Sequence, residues 1–337
     1  MAVTIQEVAE RAGVSIGTVS RYLNGAQLRE QNRRNIEQAI EELGFKTSVS
    51  AIAVFVPALT SIFAMSIVTE IERIVMAERY NSIICNFENS YTALQERLKF
   101  FKNREIGGII LFPLTKRDNS DAPLIVRLLE EYAAERIPIV VVDEMLPGFE
   151  TDAVLVDNAH ASFRAVEHLI HHNHRHIAIL SGRKNSYVSQ ERLRGYIKAL
   201  QTYKIPVEDK WIKWGDFRTK GGYAAVKALY QGPDRPTALY CTNHNMTLGA
   251  ATALNELHIK IPEELSLVGF DHFASSDVIR PLLTLIEQPL DEIGKAAGEL
   301  MLQRIRGDYT DFPHKIKLET RLLIRNSVRR IEEEEGG

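Results

Sequence analysis

Residues 4–25 of the chain read TIQEVAERAGVSIGTVSRYLNG, two short amphipathic runs joined by only a few residues. Thr4 and Ser15 are placed to cap two helices, one at the start of each run. The connection is too tight for an ordinary helical hairpin, and Gly13 within it supplies the backbone freedom that a sharp corner requires. The stretch therefore predicts a helix-turn-helix, followed by a third helix that Gly44 ends.

The second predicted helix carries side chains suited to a nucleic acid. In a helix-turn-helix the first helix braces the second, which lies in the major groove of DNA. Arg21 has the length and the fork to reach a guanine edge, whereas Thr18 and Ser20 carry hydroxyls suited to phosphates. Ile16 and Gly17 predict methyl contact with thymine or little discrimination. The predicted DNA-contacting residues are Thr4, Ser15, Ile16, Gly17, Thr18, Ser20, Arg21 and Asn24.

The composition is that of a soluble globular protein with more than one domain. The 337 residues are 45% hydrophobic and 25% charged, and the net charge of −3 excludes a chain coated in positive charge. No apolar run approaches the roughly 18 to 20 residues of a membrane span, and no secretory signal is recognised, so the expected location is the cytoplasm. Cys85 and Cys241 lie in apolar runs and are expected to be small buried hydrophobes.

Beyond residue 51 the pattern changes to apolar strand-like runs that alternate with helical stretches. This alternation predicts a parallel sheet covered by helices, and it starts again near residue 158 to give a second unit of similar size. Neither unit contains a glycine-rich phosphate loop, a G-x-S-x-G elbow or an H-E-x-x-H motif. We therefore expect no catalytic residues and no cofactor. Two such lobes suggest a cleft that closes on a small ligand.

The run HHNHRH at residues 171–176 is the one histidine cluster. Imidazoles are common zinc ligands, and histidine-rich tracts chelate metals in some proteins. No cysteine or acidic residue lies at ligand spacing from this run, which connects a predicted helix to a predicted strand. We interpret it as a turn and expect no metal site.

Several segments occur in an order that is itself informative. They are TIQEVAERAGVSIGTVSRYLNG, VDNAHASFRAVEHLIHHNHRHIAILSG, ERLRGYIKAL, PTALYCTNHNMTLGAATAL, IPEELSLVGFDHF and PLLTLIEQPLDEIGKAAGELMLQRI. In sequence and in order these segments resemble the LacI/GalR family of bacterial transcriptional regulators. The resemblance covers nearly the whole chain.

The resemblance implies an α/β fold with an N-terminal all-α helix-turn-helix headpiece. A two-lobed, periplasmic-binding-protein-like core of doubly wound parallel sheets follows it. The expected boundaries are 1–46 for the DNA-binding domain, 47–51 for a short linker, 52–330 for the effector-binding and dimerisation core, and 331–337 for an acidic tail. Within the core, the N-lobe is expected at about 52–157 plus 288–316, and the C-lobe at about 158–287 plus 317–330.

The resemblance also implies a small effector in the cleft between the lobes. The positions that match the family's effector contacts are Phe63, Asp143, Arg192, Phe217, Asn243 and Asp271. Other roles stay open, because a strand-end aspartate often caps the next helix, Arg192 could be a surface or dimer-face charge, and Phe217 could pack in the core. His244 and His272 stand where the family commonly has aspartates, which leaves the identity of the effector open.

The implied function is repression of transcription by a homodimer that binds double-stranded operator DNA. A small, sugar-like effector, or a nucleobase-like one, controls that binding. The alternative is a small-molecule binding protein without a regulatory role on DNA, which would share the two lobes but lack the helix-turn-helix. The chain has no C-terminal apolar heptad repeat of the kind that forms tetramers, so a dimer is expected.

The linker departs from the family pattern. Family members usually have a longer linker with a hinge helix that folds on the operator and inserts a leucine into the minor groove. Here only KTSVSA, residues 46–51, separates the third helix from the first strand. Six extended residues span about 20 Å, and none of these is a leucine. We expect no hinge helix and little bending of the operator.

Overall fold

The computed structural model of the chain describes residues 4–23, 26–43, 51–102, 104, 106–114 and 122–332. The chain divides into two compact units, Met1–Ser50 and Ala51–Gly337. In its described residues the first unit contains three α-helices and no strand, and the second unit contains two sheets covered by helices. Across the described residues, no helix combines the length and the apolar character needed to cross a membrane.

The helical unit contains α1 (Ile5–Ala12), α2 (Ile16–Leu23) and α3 (Glu30–Leu43). Thr4 and Glu7 form a reciprocal capping box at the start of α1: the Glu7 amide donates to Thr4 Oγ1 at 3.2 Å, and the Thr4 amide donates to Glu7 Oε2 at 2.6 Å. Gly13 ends α1 with a φ of +65°, a left-handed conformation that turns the chain into α2. Val8, Val19 and Ile36, one from each helix, are fully buried and join the three helices.

The N-lobe is built on a parallel sheet of six strands. In spatial order these are β11 (Lys315–Leu318), β5 (Asp152–Val156), β4 (Ile139–Val142), β3 (Ile106–Leu111), β1 (Ala51–Val56) and β2 (Ser82–Asn86). Helices α4 (Ile62–Ala77) and α11 (Leu290–Ile305) cover one face, and α5 (Tyr91–Lys102) and α6 (Ala122–Ala134) cover the other. In β1, Val54 faces the first pair of helices and Phe55 the second. Burial on both faces explains the continuous apolar runs of the sequence.

The C-lobe repeats this arrangement with a second sheet of six strands. In spatial order these are β12 (Arg321–Leu323), β10 (Thr284–Glu287), β9 (Ser266–Phe270), β8 (Ala238–Cys241), β6 (Ile177–Ser181) and β7 (Ile212–Trp214). Helices α7 (Asn158–His171) and α8 (Tyr187–Thr202) cover one face, and α9 (Thr219–Leu229) and α10 (His244–Glu256) cover the other. The edge strand β12 runs antiparallel to β10, so this sheet is mixed rather than purely parallel.

The chain crosses between the lobes at three places. The crossings follow β5 at residue 157, β10 at residues 288–289 and β11 at residues 319–320. The third lies later than the sequence boundary at 316/317, which falls inside β11. Parallel pairing with β5 continues to Leu318, which lies opposite Val156, and this pairing keeps the whole of β11 in the N-lobe sheet.

The two cysteines and the histidine run contribute to the packing of the fold. Cys85 and Cys241 are free and buried, as predicted, and burial raises the pKa of the Cys85 thiol to about 11. His174 lies in the turn between α7 and β6 and is fully buried. Its two ring nitrogens contact Thr237 Oγ1 at 2.9 Å and the Arg329 carbonyl at 3.1 Å, which ties the C-terminal segment to the C-lobe.

Candidate functional site

The outer surface of α2 is the first candidate site. Ser15, Ile16, Gly17 and Arg21 are exposed there, and Ser20 is half-buried. Ile16 is 48% exposed, so its methyl groups are available for contact. A Cβ added to Gly17 would have its nearest neighbour at 3.9 Å, so the surface beside it is open. This face can therefore offer methyl groups, hydroxyls and a guanidinium to a groove of DNA.

Thr18 differs from the sequence expectation because it is buried. Its Oγ1 lies 2.8 Å from Ser15 Oγ, and Ser15 Oγ also accepts a hydrogen bond from the Thr18 amide at 3.2 Å. These contacts cap the N-terminus of α2, so Thr18 supports the turn rather than the outer surface. A phosphate contact from Thr18 does not fit this position, whereas Ser20 stays a candidate. Thr4 is exposed at the start of α1, and Asn24 lies outside the described residues.

The side chain of Arg21 lies along α2, directed toward the N-terminus of that helix. Its Nε donates to the Gly17 carbonyl at 3.3 Å, and its Nη2 donates to Thr18 Oγ1 at 3.5 Å. Both contacts are long, and the one with Gly17 is exposed to water, so they stabilise this conformation little. The guanidinium can exchange them for contacts with a base edge by rotating its side chain.

The second candidate site is a cleft of about 650 Å³ between the two lobes. All six predicted effector residues line it: Phe63, Asp143, Arg192, Phe217, Asn243 and Asp271. Asp143 directly follows β4 of the N-lobe, and Asp271 directly follows β9 of the C-lobe. The carboxyl ends of both sheets therefore meet at the cleft, which is where α/β sheets bind ligands.

Three of these residues have a strained backbone. The φ angles are +76° for Asp143, +65° for Phe217 and +71° for Asp271. Residues other than glycine rarely adopt this left-handed conformation, and its cost is accepted most often at functional sites. In each case the turn directs a polar or aromatic side chain into the cleft instead of continuing the strand.

Arg192 is a buried charge rather than a surface charge. It is 4% exposed, its Nε donates to Asn158 Oδ1 at 2.8 Å, and its Nη1 donates to the Thr242 carbonyl. Its guanidinium carbon lies 3.6 Å from the centre of the Phe270 ring. It forms no ion pair with any residue that the structure describes. A buried cation without a direct salt-bridge partner gains from a polar ligand group in the cleft.

Buried hydrogen-bond acceptors face the same cleft. Asp143 Oδ1 and Gln288 Oε1 are buried and have no hydrogen-bond partner among the described residues. The Gln288 amide nitrogen donates to Asp271 Oδ1 at 2.6 Å, which fixes the direction of both side chains. Burial raises the pKa of the Asp143 carboxyl to about 6; the Arg192 guanidinium opposes this rise, and the Asp271 carboxylate adds to it. A ligand with hydrogen-bond donors would satisfy these acceptors.

Phe217 and Asn243 complete the C-lobe wall. The Phe217 ring lies directly over Gly182, because a Cβ at Gly182 would come within 2.2 Å of the ring. The ring thus lines the cleft and also packs against the hydrophobic core of the C-lobe. Asn243 caps α10, since its Oδ1 accepts a hydrogen bond from the Met246 amide at 3.2 Å. Its amide nitrogen is the group that Asn243 can still offer to a ligand.

Gln288 was missed as a site residue in the sequence. Gln288 directly follows β10, so it lies at the carboxyl end of a strand, as Asp143 does. A glutamine before a proline does not by itself indicate a ligand-binding residue in a sequence. The two unusual histidines have different positions. His244 lines the cleft, whereas His272 lies outside its lining and contacts Glu287 at 3.2 Å and Asp277 at 3.1 Å.

Comparison with known protein families matches two regions of the chain. Residues 4–48 match the bacterial regulatory proteins of the lacI family. Residues 166–328 match a periplasmic binding protein-like domain.

Individual relatives match almost the full length. The HTH-type transcriptional repressor PurR of Proteus mirabilis is 31% identical over 337 residues, which are 96% of this chain and 96% of the relative. A complex of the transcriptional regulator CelR with cellobiose shares 27% identity with a TM-score of 0.74, covering 96% of this chain and 99% of that one. The Lac repressor dimer bound to operator and the anti-inducer ONPF shares 25% identity with a TM-score of 0.76, covering 98% and 100%.

The raised pKa of Asp143 predicts how stability changes with pH. Above about pH 6 the folded chain carries a buried carboxylate, and below that pH the folded state holds a proton that the unfolded state does not yet bind. Asp143→Asn should therefore increase the free energy of unfolding at pH 8, and this gain should shrink as the pH falls below about 6. Urea denaturation followed by circular dichroism measures both values.

Asp291→Asn is the matched control for the loss of one carboxylate, because Asp291 is exposed at the start of α11. An Asp143→Asn variant that is less stable than the parent at pH 8, or whose difference from it does not change with pH, would contradict the assignment.

Proposed function

The chain belongs to the lacI family of bacterial regulatory proteins, and from that membership we propose how this repressor reads DNA and which effector it binds. The chain is a DNA-binding transcription regulator under the control of a small molecule, not an enzyme. One observation carries the proposal: the same chain has an exposed α2 face and a cleft lined by polar residues from the ends of two sheets. The family match over residues 4–48 disfavours a binding protein without a role on DNA.

Arg21 is proposed to read a guanine edge, and Ile16 to contact a thymine methyl group. Charge pairing on the helical unit supports this choice. Arg11 is paired with Glu42, and Arg34 with Glu30 at 3.2 Å, whereas Arg21 forms no ion pair with any residue in the described part of the chain. The Arg21 charge is therefore available to DNA without first breaking an ion pair.

The effector is proposed to be a neutral sugar or sugar derivative. The buried, unpaired acceptors of Asp143 and Gln288 require hydrogen-bond donors, which sugar hydroxyls supply. The Phe217 ring offers an apolar face to a sugar ring or a base. The carboxylates of Asp143 and Asp271 disfavour an anionic group beside them. The similarity to a regulator in complex with cellobiose supports the same class, and a nucleobase is the second candidate.

The working form is proposed to be a homodimer in the cytoplasm. Ile83 and Ile84 are 39% and 40% exposed on the edge strand β2, and Met76 is 64% exposed on the neighbouring α4. An apolar edge of this kind is normally covered by another surface. A symmetric dimer would present two helix-turn-helix units to the two halves of a palindromic operator.

The boundary between the DNA-binding domain and the core stays a prediction, as does the missing hinge helix, because the linker residues 44–50 lie outside the described residues. Only these residues separate α3 from β1. A chain without a hinge helix has no side chain to wedge into the centre of the operator, so the DNA should bend little. Once an operator has been selected from a random duplex pool, circular-permutation gels measure how far the protein bends it. A sharp central kink would contradict the prediction.

Arg21→Ala should weaken binding to the specific operator by about 1 to 3 kcal/mol and leave binding to random DNA almost unchanged. The operator is first identified by selection from a random duplex pool. Arg34→Ala is the matched control, since it removes the same charge from an exposed position on α3. If Arg21→Ala reduced specific and random binding equally, Arg21 would be a phosphate contact rather than a base reader.

Asp271→Asn should weaken the effector roughly tenfold or more, the scale of losing a charged hydrogen bond, while operator binding without effector persists. A thermal-shift screen of neutral sugars, sugar phosphates and nucleobases identifies the effector, and calorimetry gives its affinity. Asp209→Asn, at an exposed C-lobe position, is the control. A response to sugar phosphates or nucleobases alone would overturn the proposed class, and equal affinity in Asp271→Asn would remove Asp271 from the site.

A further inference from the structure

A second cavity lies in the N-lobe, at the opposite end of the sheet from the effector cleft. Its volume is about 580 Å³, within the range of small-molecule sites. It lies between the starts of β4 and β5, the ends of α6 and α11, and the loop that follows α11. Because the strands are parallel, this is the amino end of the sheet, where β1 also begins. We call it the amino-end cavity.

The surface of the amino-end cavity is mostly apolar and partly aromatic. Pro138, Ile139 and Phe149 are buried side chains that line it. Tyr309 and Phe312 also line it, and they are 42% and 45% exposed with ring centres 5.6 Å apart. Two exposed aromatic rings beside an apolar floor form a surface that gains stability when a flat apolar group covers it.

The buried polar groups of this cavity already have partners. Arg304 Nε and Nη2 donate to the two carboxylate oxygens of Asp152 at 2.8 and 3.0 Å, and Asp311 lies 2.7 Å from Nη2. Thr151 Oγ1 donates to the Ile139 carbonyl at 2.6 Å. The effector cleft, in contrast, contains buried acceptors without partners. The amino-end cavity therefore requires few hydrogen bonds from a ligand and favours apolar contact, so the two cavities select different chemistry.

One charged group that lines the amino-end cavity is available to pair with a ligand. Arg136 is exposed on the lining and forms no ion pair with any residue in the described ranges. The nearby Glu150 is paired with Lys315 at 3.2 Å, and Asp152 is paired with Arg304. An anionic group on a ligand would thus meet an unpaired guanidinium, which binds carboxylates through two parallel hydrogen bonds.

We propose that the amino-end cavity is a second ligand site that binds a small planar aromatic carboxylate. The aromatic ring lies on the floor formed by Pro138 and Phe149, against Tyr309 and Phe312, and the carboxylate pairs with Arg136. The site is separate from the effector cleft and goes beyond the proposed function, since it shares no residue with the cleft.

Calorimetric titration of the full chain with naphthalene-1-carboxylate and 1-naphthamide tests the proposal. The acid should bind saturably, with one site per chain and roughly tenfold tighter than the amide, because only the acid pairs with Arg136. Arg136→Gln should remove the preference for the acid. Ala133→Trp, which places an indole in the cavity from exposed Ala133 on α6, should abolish binding of both compounds. Ala134→Trp is the matched control, because Ala134 is exposed on the same helix and does not line the cavity.

Circular dichroism melts establish that each variant is folded, and the exposed position of Arg136 keeps Arg136→Gln informative if Ala133→Trp is not. Equal affinities for the acid and the amide, no saturable binding of the acid, or unchanged binding in a folded Ala133→Trp variant would each overturn the proposal. Analytical ultracentrifugation compares the oligomeric mass of the Ala133→Trp variant with that of the parent protein. If the two masses differed, the cavity would be a contact between copies and the ligand assignment would be wrong.

Discussion

Three crossings of the chain between the lobes determine the geometry of the whole core. They hold the carboxyl ends of two sheets opposite each other, so that short turns after separate strands share one cleft. Asp143 and Asp271 are far apart in sequence, yet their charges act on each other across this cleft. This arrangement costs free energy, as the positive φ angles, the raised pKa of the Asp143 carboxyl and the buried acceptors without partners indicate. A ligand that fills the cleft would relieve part of these costs, which couples its binding to the relative position of the lobes.

The sequence was sufficient for much of the fold because its signals are local. The spacing around Gly13 identifies the helix-turn-helix, and the apolar runs identify the buried strands. The strand-end positions of Asp143 and Asp271 followed from the family resemblance, and the structure places both in the cleft. The antiparallel edge strand β12 was not evident, because a three-residue strand has no periodic pattern of its own.

The remaining features depend on packing between distant segments. The sequence predicts an available hydroxyl at Thr18, but Thr18 is buried and its Oγ1 contacts Ser15 Oγ at 2.8 Å, which no spacing rule predicts. Gln288 lies in the cleft because β10 ends beside the turn that holds Asp271, and the Gln288 amide donates a hydrogen bond to Asp271. The amino-end cavity joins the end of α6, two strand starts and the loop after α11, and no motif links these segments.

The open space beside Gly17 has an evolutionary consequence. Glycine is a poor helix former, so replacing it on the exposed surface of α2 with most other residues should stabilise the helix by roughly 0.5 to 1 kcal/mol. The nearest atom to an added Cβ is 3.9 Å away, so the fold has room for such a side chain. In the proposed orientation of α2 toward DNA, a single codon change at this position would add a side chain beside the bases without first weakening the protein.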